Sequence, residues 1–406
     1  MAERRYAVFT HDAYGLGHVR RSSRILRALA ERDPDAALLL ITGSPATNIL
    51  RELPQNADTL KIPTIITSGT DGTRPPMLNM GVAELASLRG ELTRRALELF
   101  EPDVLLVDNF PLGTRHELLP ALRELRHRRT RTVLGLRDVV DPPEKVRRDW
   151  GRDGIAGAIE RYYDRIIIYG MREVLDAQVE YGLSDSIGER MSYCGYVTET
   201  APQPMSAARL QAEFGIGAGF MLATVGGGGD GRPVLETFLE AIREFAGRPA
   251  LVITGEFMSP EDRAAVCRVA DGMDDIVIRN HVTELPALMA AADLVVCMGG
   301  YNTSAEILAV GARCVVVPRS WRSGEHGSKG KTGVDAEQLV RAEGLARAGA
   351  ITLLDPRELT PATLTAAMRS ALNRPSANMA HGLALDGAGR VADQLLELAT
   401  DNGGYS

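Results

Sequence analysis

The chain has 406 residues, enough for two domains, and its 45% hydrophobic and 24% charged residues are the balance of an ordinary globular protein. A formal net charge of −7 disfavours bulk attraction to nucleic acid or to an anionic membrane, so we expect no nucleic-acid partner. No apolar run approaches the roughly 18 residues of a membrane span, and no signal peptide precedes the first strand, so we expect a cytoplasmic protein. Peripheral membrane contact and the oligomeric state stay open.

Short apolar runs alternate with amphipathic patterns along the first half of the chain, which predicts a parallel sheet covered by helices on both faces. The predicted strands are Tyr6–Thr10, Ala37–Ile41, Val104–Val107, Thr132–Leu136, Arg165–Tyr169 and Met191–Val197. The predicted helices include Val19–Glu31, Val82–Phe100 and Arg115–Leu125. A stretch rich in Thr and Pro, Thr198–Ser206, then predicts a linker between domains.

The same alternation restarts after this linker. The predicted strands are Phe220–Thr224, Ala250–Thr254, Asp275–Ile278, Leu294–Cys297, Cys314–Val317 and Ile351–Leu354. The predicted helices include Val234–Phe245, Thr303–Val310 and Val391–Ala399. We therefore predict one Rossmann-like domain over residues 1–200, a second over 201–380, and a helical segment over 381–406 that packs back toward the first domain.

Three polar features are interpreted as structural. The four cysteines are scattered without a C-x-x-C pair, and Cys297 and Cys314 lie in apolar strands, so we expect core thiols in a reducing compartment. The sequence Asp33-Pro34-Asp35 stands between a helix and a strand and predicts a turn, so we expect no metal site. A basic cluster favours the solvated end of a helix over a polyanion or membrane patch. Its members are Arg123, Arg126, His127, Arg128, Arg129 and Arg131.

A glycine-rich turn, His11–His18, follows the first strand. Gly15 and Gly17 permit a tight turn and close approach of a ligand, and the next helix presents its free N–H groups there. The turn is not a complete G-x-G-x-x-G motif, because Arg20 takes the last place, which disfavours a dinucleotide-dependent dehydrogenase.

Two more glycine turns follow strands in the second half. Gly226, Gly227, Gly228 and Gly229 form a turn whose bare backbone suits a phosphate group. The run Met298–Glu306 ends a strand with Gly299 and Gly300, and we expect Asn302 or Thr303 to cap the next helix. Glu306 then lies about one turn into that helix, either as an ordinary first-turn Glu or as an acceptor for two ribose hydroxyls.

These motifs, in this order, resemble the GT-B glycosyltransferases, in particular the family-28-like group and a bacterial branch of it. The resemblance rests on the turn ending in His18, the glycines at 226–229, the G-G-x-N-T-x-x-E run from Gly299 to Glu306, and Glu337-Gln338-Leu339. It implies the GT-B fold, two Rossmann-like doubly wound parallel-sheet domains facing across a cleft. The first domain would bind the acceptor and the second the donor.

The resemblance also assigns donor-binding residues. Glu306 would hold the ribose, and the turn at 226–229 would close over the diphosphate. The base would face His281 and Val282, and Gln338 with Glu337 would contact the sugar hydroxyls. The diphosphate itself would contact Gly299, Gly300, Asn302 and Thr303. The polar stretch Arg319–Asp335 is longer than in relatives and predicts a mobile loop.

The implied reaction is an inverting, metal-independent transfer from a nucleoside-diphosphate sugar, with UDP favoured, to a hydroxyl acceptor. It serves cell-envelope glycan or natural-product biosynthesis and needs no cofactor beyond this substrate. His18 is the leading base candidate, oriented by Asp108, although a structural His18 stays open. Asp12 and Asp138 are further candidates on the acceptor side. The alternatives are a UDP-sugar 2-epimerase of the same fold and a non-catalytic nucleotide-sugar-binding subunit.

Overall fold

The computed structural model describes residues 4–10, 17–44, 53–68, 72–74, 78–198, 202–245, 247–321, 333–374 and 385–401. The chain divides into two compact units. The first comprises Met1–Thr198 together with Asp386–Ser406, and the second comprises Glu199–Leu385. No helix of the described residues is long and apolar enough to cross a membrane. The cytoplasmic location stays a prediction.

The first unit is built on a parallel sheet of seven strands in the order β3-β2-β1-β6-β7-β8-β9. A separate antiparallel hairpin joins β4 and β5. β6 is buried along its whole length, and β1 and β8 are buried at every residue after the first, which explains the apolar runs of these central strands. The strands are β1 Arg5–Thr10, β2 Ala37–Thr42, β3 Ala57–Lys61, β4 Ile66–Ser68, β5 Gly72–Arg74, β6 Val104–Asp108, β7 Arg131–Arg137, β8 Arg165–Tyr169 and β9 Met191–Tyr193.

Helices connect these parallel strands, as the geometry of parallel pairing requires. A 3₁₀ turn at Thr114–His116 precedes α3, so the predicted helix Arg115–Leu125 is shorter than expected. The helices are α1 Gly17–Arg32, α2 Val82–Phe100, α3 Leu119–Leu125, α4 Pro143–Arg152, α5 Ile155–Tyr162, α6 Ala177–Tyr181 and α7 Asp185–Gly188.

The second unit has a parallel sheet of six strands in the order β12-β11-β10-β13-β14-β17. Its core packs Leu235 and Phe238 against the sheet residues Ala223 and Val296. A short antiparallel pair, β15 with β16, stands apart from this sheet. The strands are β10 Met221–Thr224, β11 Ala250–Ile253, β12 Ile276–Arg279, β13 Leu294–Cys297, β14 Cys314–Val316, β15 Ser320–Trp321, β16 Gly333–Val334 and β17 Thr352–Leu353.

The last helix of the chain belongs to the first unit, where it packs on α1. Its Asp393 pairs with Arg32 at 2.5 Å, and its Gln394 accepts a hydrogen bond from Ser192 at 2.8 Å. The remaining helices are α8 Ala207–Phe214, α9 Arg232–Ala241, α10 Pro260–Val269, α11 Leu285–Ala291, α12 Tyr301–Val310, α13 Ala336–Arg347, α14 Pro361–Leu372 and this last helix, α15 Gly387–Asp401.

The predicted fold class is confirmed, since both units are doubly wound α/β domains with parallel sheets. Cys297 and Cys314 are buried in the second core, as predicted. The turn predicted at Asp33-Pro34-Asp35 is also confirmed, because Pro34 and Asp35 form a turn and the Ala36 N–H donates to the Asp33 carbonyl at 3.1 Å.

Candidate functional site

The strand order of the first sheet reverses between β1 and β6. In doubly wound sheets ligands bind beyond the carboxyl ends of the strands at such a switch point. β1 ends at Thr10 and β6 ends at Asp108, and these two residues are paired in register. The first helix, α1, begins at Gly17, and His18 in its first turn contacts Asp108.

His18 and Asp108 form a close pair at this point. The His18 Nδ1 atom lies 2.5 Å from Asp108 Oδ2, and the carboxylate is fully buried while the imidazole keeps 20% of its surface exposed. Arg21 donates to both carboxylate oxygens, from Nε at 2.9 Å and from Nη2 at 2.8 Å. The sequence prediction that Asp108 lies beside His18 matches this geometry.

The buried charges set the protonation of the pair. Burial would raise the pKa of Asp108, but Arg21 and His18 together hold that pKa well below its usual range. Burial lowers the pKa of His18, Asp108 opposes this effect, and the cations Arg21 and Arg137 add to the lowering. Arg21 Nη2 also lies 2.9 Å from His18 Nδ1. Because an ionised carboxylate only accepts hydrogen bonds, a hydrogen bond between His18 and Asp108 requires a proton on Nδ1, and a neutral ring then keeps its lone pair on Nε2.

An aromatic side chain borders the pair. The Phe110 ring centroid lies 6.3 Å from that of His18, and 40% of Phe110 is exposed. The preceding Asn109 has a left-handed φ of 65°, and its amide oxygen accepts hydrogen bonds from Arg137 N at 3.3 Å and Nε at 3.4 Å. This strained turn places an apolar surface and a cation next to the imidazole.

The structure describes two of the other acceptor-side candidates, Gly17 and Asp138. Gly17 begins α1, whereas Asp12 and Gly15 lie outside the described residues. Asp138 is 1% exposed, and its carboxylate accepts hydrogen bonds from Val139 N at 2.7 Å and from the Tyr196 hydroxyl at 2.8 Å. Its carboxylate is thus engaged by protein groups that tie the end of β7 to the segment after β9.

The second sheet reverses its order between β10 and β13, and both strands run into predicted glycine turns. A Cβ on Gly228 would lie 2.0 Å from the Thr254 carbonyl oxygen, and Gly228 has a φ of 88°. A Cβ on Gly227 would lie 2.9 Å from the Phe257 ring. These two glycines are therefore needed for packing against the turn after β11. By contrast, a Cβ on Gly226 would meet no protein atom within 4 Å.

The turn after β13 contains two glycines that differ in the space around them. A Cβ on Gly299 would lie 3.3 Å from the Gln338 carbonyl oxygen, whereas one on Gly300 would meet no atom within 4 Å. Gly300 is also the N-cap of α12, with an extended φ of −64° and no side-chain cap. The prediction that Asn302 or Thr303 caps this helix is wrong, because both already lie in its first turn.

Asn302, Thr303 and Glu306 are all half-buried on the first two turns of α12. His281, just beyond β12, is 52% exposed, and its Nδ1 lies 3.5 Å from Glu256 Oε1, while Val282 is half-buried. The ends of β10, β12 and β13 thus carry most of the predicted donor residues along one edge of the sheet.

Glu337 and Gln338 are held by protein partners on α13. Glu337 Oε1 lies 2.9 Å from Arg341 Nη2, and Gln338 Oε1 accepts a hydrogen bond from Arg319 N at 2.9 Å. Arg341 is fully buried and donates from Nη1 to the Gly299 carbonyl at 3.1 Å. Arg341 therefore couples Glu337 to the glycine turn after β13.

Sequence reasoning missed Arg21 and Phe257 as site residues. Arg21 stands three residues after His18, a spacing that puts both side chains on one helix face and could have signalled the contact. Phe257 is 65% exposed beside the glycine turn, and its N–H donates to the Gly227 carbonyl at 2.7 Å. No spacing in the sequence predicts this contact, because it joins the turns that follow two different strands.

Solved structures of low identity share this fold along nearly the whole chain. The kitacinnamycin glycotransferase matches with a TM-score of 0.64 and 16% identity over 98% of this chain and 100% of that chain. Acinetobacter baumannii MurG matches at 0.61 and 14% over 97% and 99%. The UDP-GlcNAc 2-epimerase of Methanocaldococcus jannaschii matches at 0.61 and 14% over 98% and 99%. The chain is a protein of the GT-B fold class.

Within this chain of the GT-B fold class, residues 224–395 match the glycosyltransferase family 28 C-terminal domain. The UDP-N-acetylglucosamine--N-acetylmuramyl-(pentapeptide) pyrophosphoryl-undecaprenol N-acetylglucosamine transferase of Desulforudis audaxviator is 29% identical over 48% of this chain and 53% of that protein. Its namesake in an Exiguobacterium species is 27% identical over 42% and 45%. The chain spans about half the length of the curated relatives it matches.

Proposed function

We propose that this protein is an inverting, metal-independent glycosyltransferase. It would move a sugar from a UDP-linked donor to a hydroxyl acceptor in cell-envelope glycan or natural-product biosynthesis. The observation that carries the proposal is the His18–Asp108 pair, 2.5 Å apart at the switch point of the first sheet, in a chain whose second half matches a family 28 domain. The names of the relatives make UDP-N-acetylglucosamine the first donor to test.

His18 would act as the general base. Its Nδ1–H donates to the ionised Asp108, so the lone pair of Nε2 can accept the proton of the acceptor hydroxyl. Asp108 orients the ring and stabilises the imidazolium that forms, as the third group does in nucleophile–base–carboxylate arrangements. The lowered pKa of His18 keeps the ring neutral and ready at neutral pH.

The second unit would bind the donor and stabilise the leaving diphosphate. The α12 helix begins after Gly300, and the helix dipole favours an anion at this N-terminus. The hydroxyl of Thr303 lies in the same turn, and the carboxylate of Glu306 would accept the ribose hydroxyls. Metal independence is tested by activity that survives excess EDTA.

Donor binding is tested by calorimetric titration with UDP, GDP and dTDP. We expect one nucleotide, UDP, to bind and Glu306→Ala to weaken it at least about tenfold, the loss of a charge-assisted hydrogen-bond pair. The control is Glu343→Ala, an exposed glutamate on α13, which should leave the affinity unchanged. Binding of no nucleotide to the folded protein would refute the proposal.

The reaction class is tested with UDP-N-acetylglucosamine alone, followed by product analysis. A transferase gives at most slow hydrolysis, whereas a 2-epimerase converts the donor without an acceptor. His18→Gln should lower turnover by about 10²-fold or more, the usual contribution of a general base, while UDP still binds. Full activity in His18→Gln would exclude the base assignment, and an epimer product would favour the isomerase.

A further inference from the structure

A cavity of about 390 Å³ opens in the first unit, away from the His18–Asp108 pair. It lies at the amino ends of three neighbouring strands, because Arg131 begins β7, Asp164 precedes β8 and Arg190 precedes β9. Arg131 is paired in register with Val104, four residues before Asp108 on β6, a distance of about 13 Å along the strand. The cavity is therefore at the opposite edge of the sheet from the proposed base.

Cations dominate the lining of this cavity. Six arginines and three carboxylates face it, a local excess of three positive charges in a chain whose formal net charge is −7. Most of the basic cluster noted in the sequence lies here. The arginines are Arg126, Arg128, Arg129, Arg131, Arg161 and Arg190, and the acids are Glu160, Asp164 and Asp401.

Three of these arginines are available to a ligand. Arg126, Arg129 and Arg161 are exposed, and within the described part of the chain their side chains make no hydrogen bond or ion pair. Two half-buried arginines of the cavity are partly neutralised, since Arg128 lies 2.6 Å from Glu124 and Arg131 lies 3.5 Å from Asp164.

Arg190 is held rigidly at the cavity by neutral groups. Its Nε donates to the Ser186 carbonyl at 2.8 Å, and its Nη1 donates to the carbonyls of Tyr163 at 2.5 Å and Glu160 at 3.2 Å. Carbonyl partners fix the orientation of the guanidinium without cancelling its charge. A cation that is already positioned loses little entropy when an anion binds.

We propose that this arginine cavity binds a small soluble anion with two or three phosphate groups, at a site separate from the proposed donor site. Guanidinium groups match phosphate oxygens with paired N–H donors, and several of them converge on one concave space. The volume falls within the range of small-ligand pockets, about 300–1,000 Å³. A concave site of this size suits a compact anion better than a flat membrane surface.

The test is calorimetric titration of the full chain with tripolyphosphate at low salt, in the presence of saturating UDP so that the proposed nucleotide site is filled. We expect one equivalent to bind, and the double variant Arg126→Gln/Arg129→Gln to bind about tenfold more weakly, because two charge-assisted contacts are lost. The matched control is Arg123→Gln, at an exposed arginine of α3 that does not line the cavity. The affinity of this variant for tripolyphosphate should stay within about twofold of the wild-type affinity.

Three results would overturn the proposal: no binding by the wild-type chain, equal affinity of the double variant, or loss in the Arg123→Gln control as large as in the double variant. A parallel arm uses phosphatidylglycerol vesicles. Sedimentation with vesicles in the absence of tripolyphosphate binding would assign the charges to a membrane surface and reject the small-ligand site. Because Glu306→Ala should bind tripolyphosphate normally, failure of the donor proposal and failure of this one are distinguishable.

Discussion

At the scale of single residues, Arg21 determines how Asp108 can act on His18. Arg21 is 2% exposed, binds both oxygens of Asp108, and lies 4.9 Å from the Tyr169 ring centroid. A carboxylate already paired with a cation stabilises a neighbouring imidazolium less. Burial lowers the pKa of His18 most, and Arg21 adds to this lowering while Asp108 still contacts the ring. The sequence predicts His18 as a candidate because it ends the glycine-rich turn. The combined effect of burial, Asp108 and Arg21 on the pKa of His18 depends on distances that only the structure gives.

The first prediction concerns the pH dependence of His18. Its folded pKa lies below the ordinary value near 6.5, so the neutral base is present at pH 7 and is lost as the pH falls through the lowered pKa. Arg21→Gln removes a cation, so we expect the pKa of His18 to rise and the acidic limb of activity to move to higher pH. Arg21→Lys keeps the positive charge, so it should shift the pKa of His18 less than Arg21→Gln does.

This shift is measured by NMR titration of labelled histidines, with His18 assigned from the spectrum of His18→Gln. This NMR titration does not require the acceptor substrate. A pKa of His18 that is equal in Arg21→Gln and in the wild type would show that Arg21 has no such influence. Thermal melts at neutral pH accompany the titration, because removing one member of a buried ion pair costs about 3–5 kcal/mol.

The second prediction separates glycines required by the fold from a glycine left for a ligand. Gly228→Ala should destabilise the second unit by about 3 kcal/mol, since the left-handed φ and the Thr254 carbonyl both exclude a Cβ. Gly300→Ala should cost only about 0.5–1 kcal/mol as an N-cap change, yet weaken UDP binding. Urea unfolding and UDP titration of both variants check this. Unchanged UDP affinity in Gly300→Ala would remove Gly300 from the donor site.

At the scale of elements, buried strands were predictable and polar ones were not. β8 and β13 coincide with their predicted ranges, because β13 is apolar along its whole length and β8 is buried at every residue after Arg165. β3 was missed, since its sequence Ala-Asp-Thr-Leu-Lys is half-exposed at the edge of the sheet and carries no apolar run. The pair β15–β16 was also missed, because both strands lie within the polar stretch Arg319–Asp335, which was predicted as a loop.

The third prediction concerns α15, which packs on α1 although nearly the whole chain separates them. Leu395 is 1% exposed, so Leu395→Ala should destabilise the first unit by about 2–4 kcal/mol through the cavity left behind. Glu397→Ala, at a residue whose carboxylate is 58% exposed and 2.6 Å from Arg165, should cost less than about 1 kcal/mol.

The measurement for α15 is urea unfolding followed by tryptophan fluorescence. The chain has two tryptophans, Trp150 in the first unit and Trp321 in the second, so Trp321→Phe leaves a probe of the first unit alone. Equal midpoints for the Leu395→Ala and Glu397→Ala variants would mean that α15 adds no packing energy to the first unit.

At the scale of the whole molecule, two units repeat one plan with different polar groups. Each sheet reverses its strand order once, and each reversal carries a glycine turn at the carboxyl ends of the strands. The first unit carries a histidine–aspartate pair, and the second carries a helix N-terminus followed by a half-buried glutamate. Chain length and hydrophobic periodicity predict that two α/β domains follow each other. Only individual side chains distinguish the proposed acceptor unit from the proposed donor unit.

The fourth prediction follows from this separation. If the second unit binds the nucleotide, UDP should slow amide exchange most in the turns after β10, β12 and β13, and should leave the exchange of the first-unit core strands β1 and β6 unchanged. Hydrogen exchange with mass spectrometry, with and without UDP, measures this peptide by peptide. Glu306→Ala should abolish the protection at UDP concentrations that saturate the wild type. Protection centred on the turn that contains His18, with none in the second unit, would reverse the assignment of donor and acceptor to the two units.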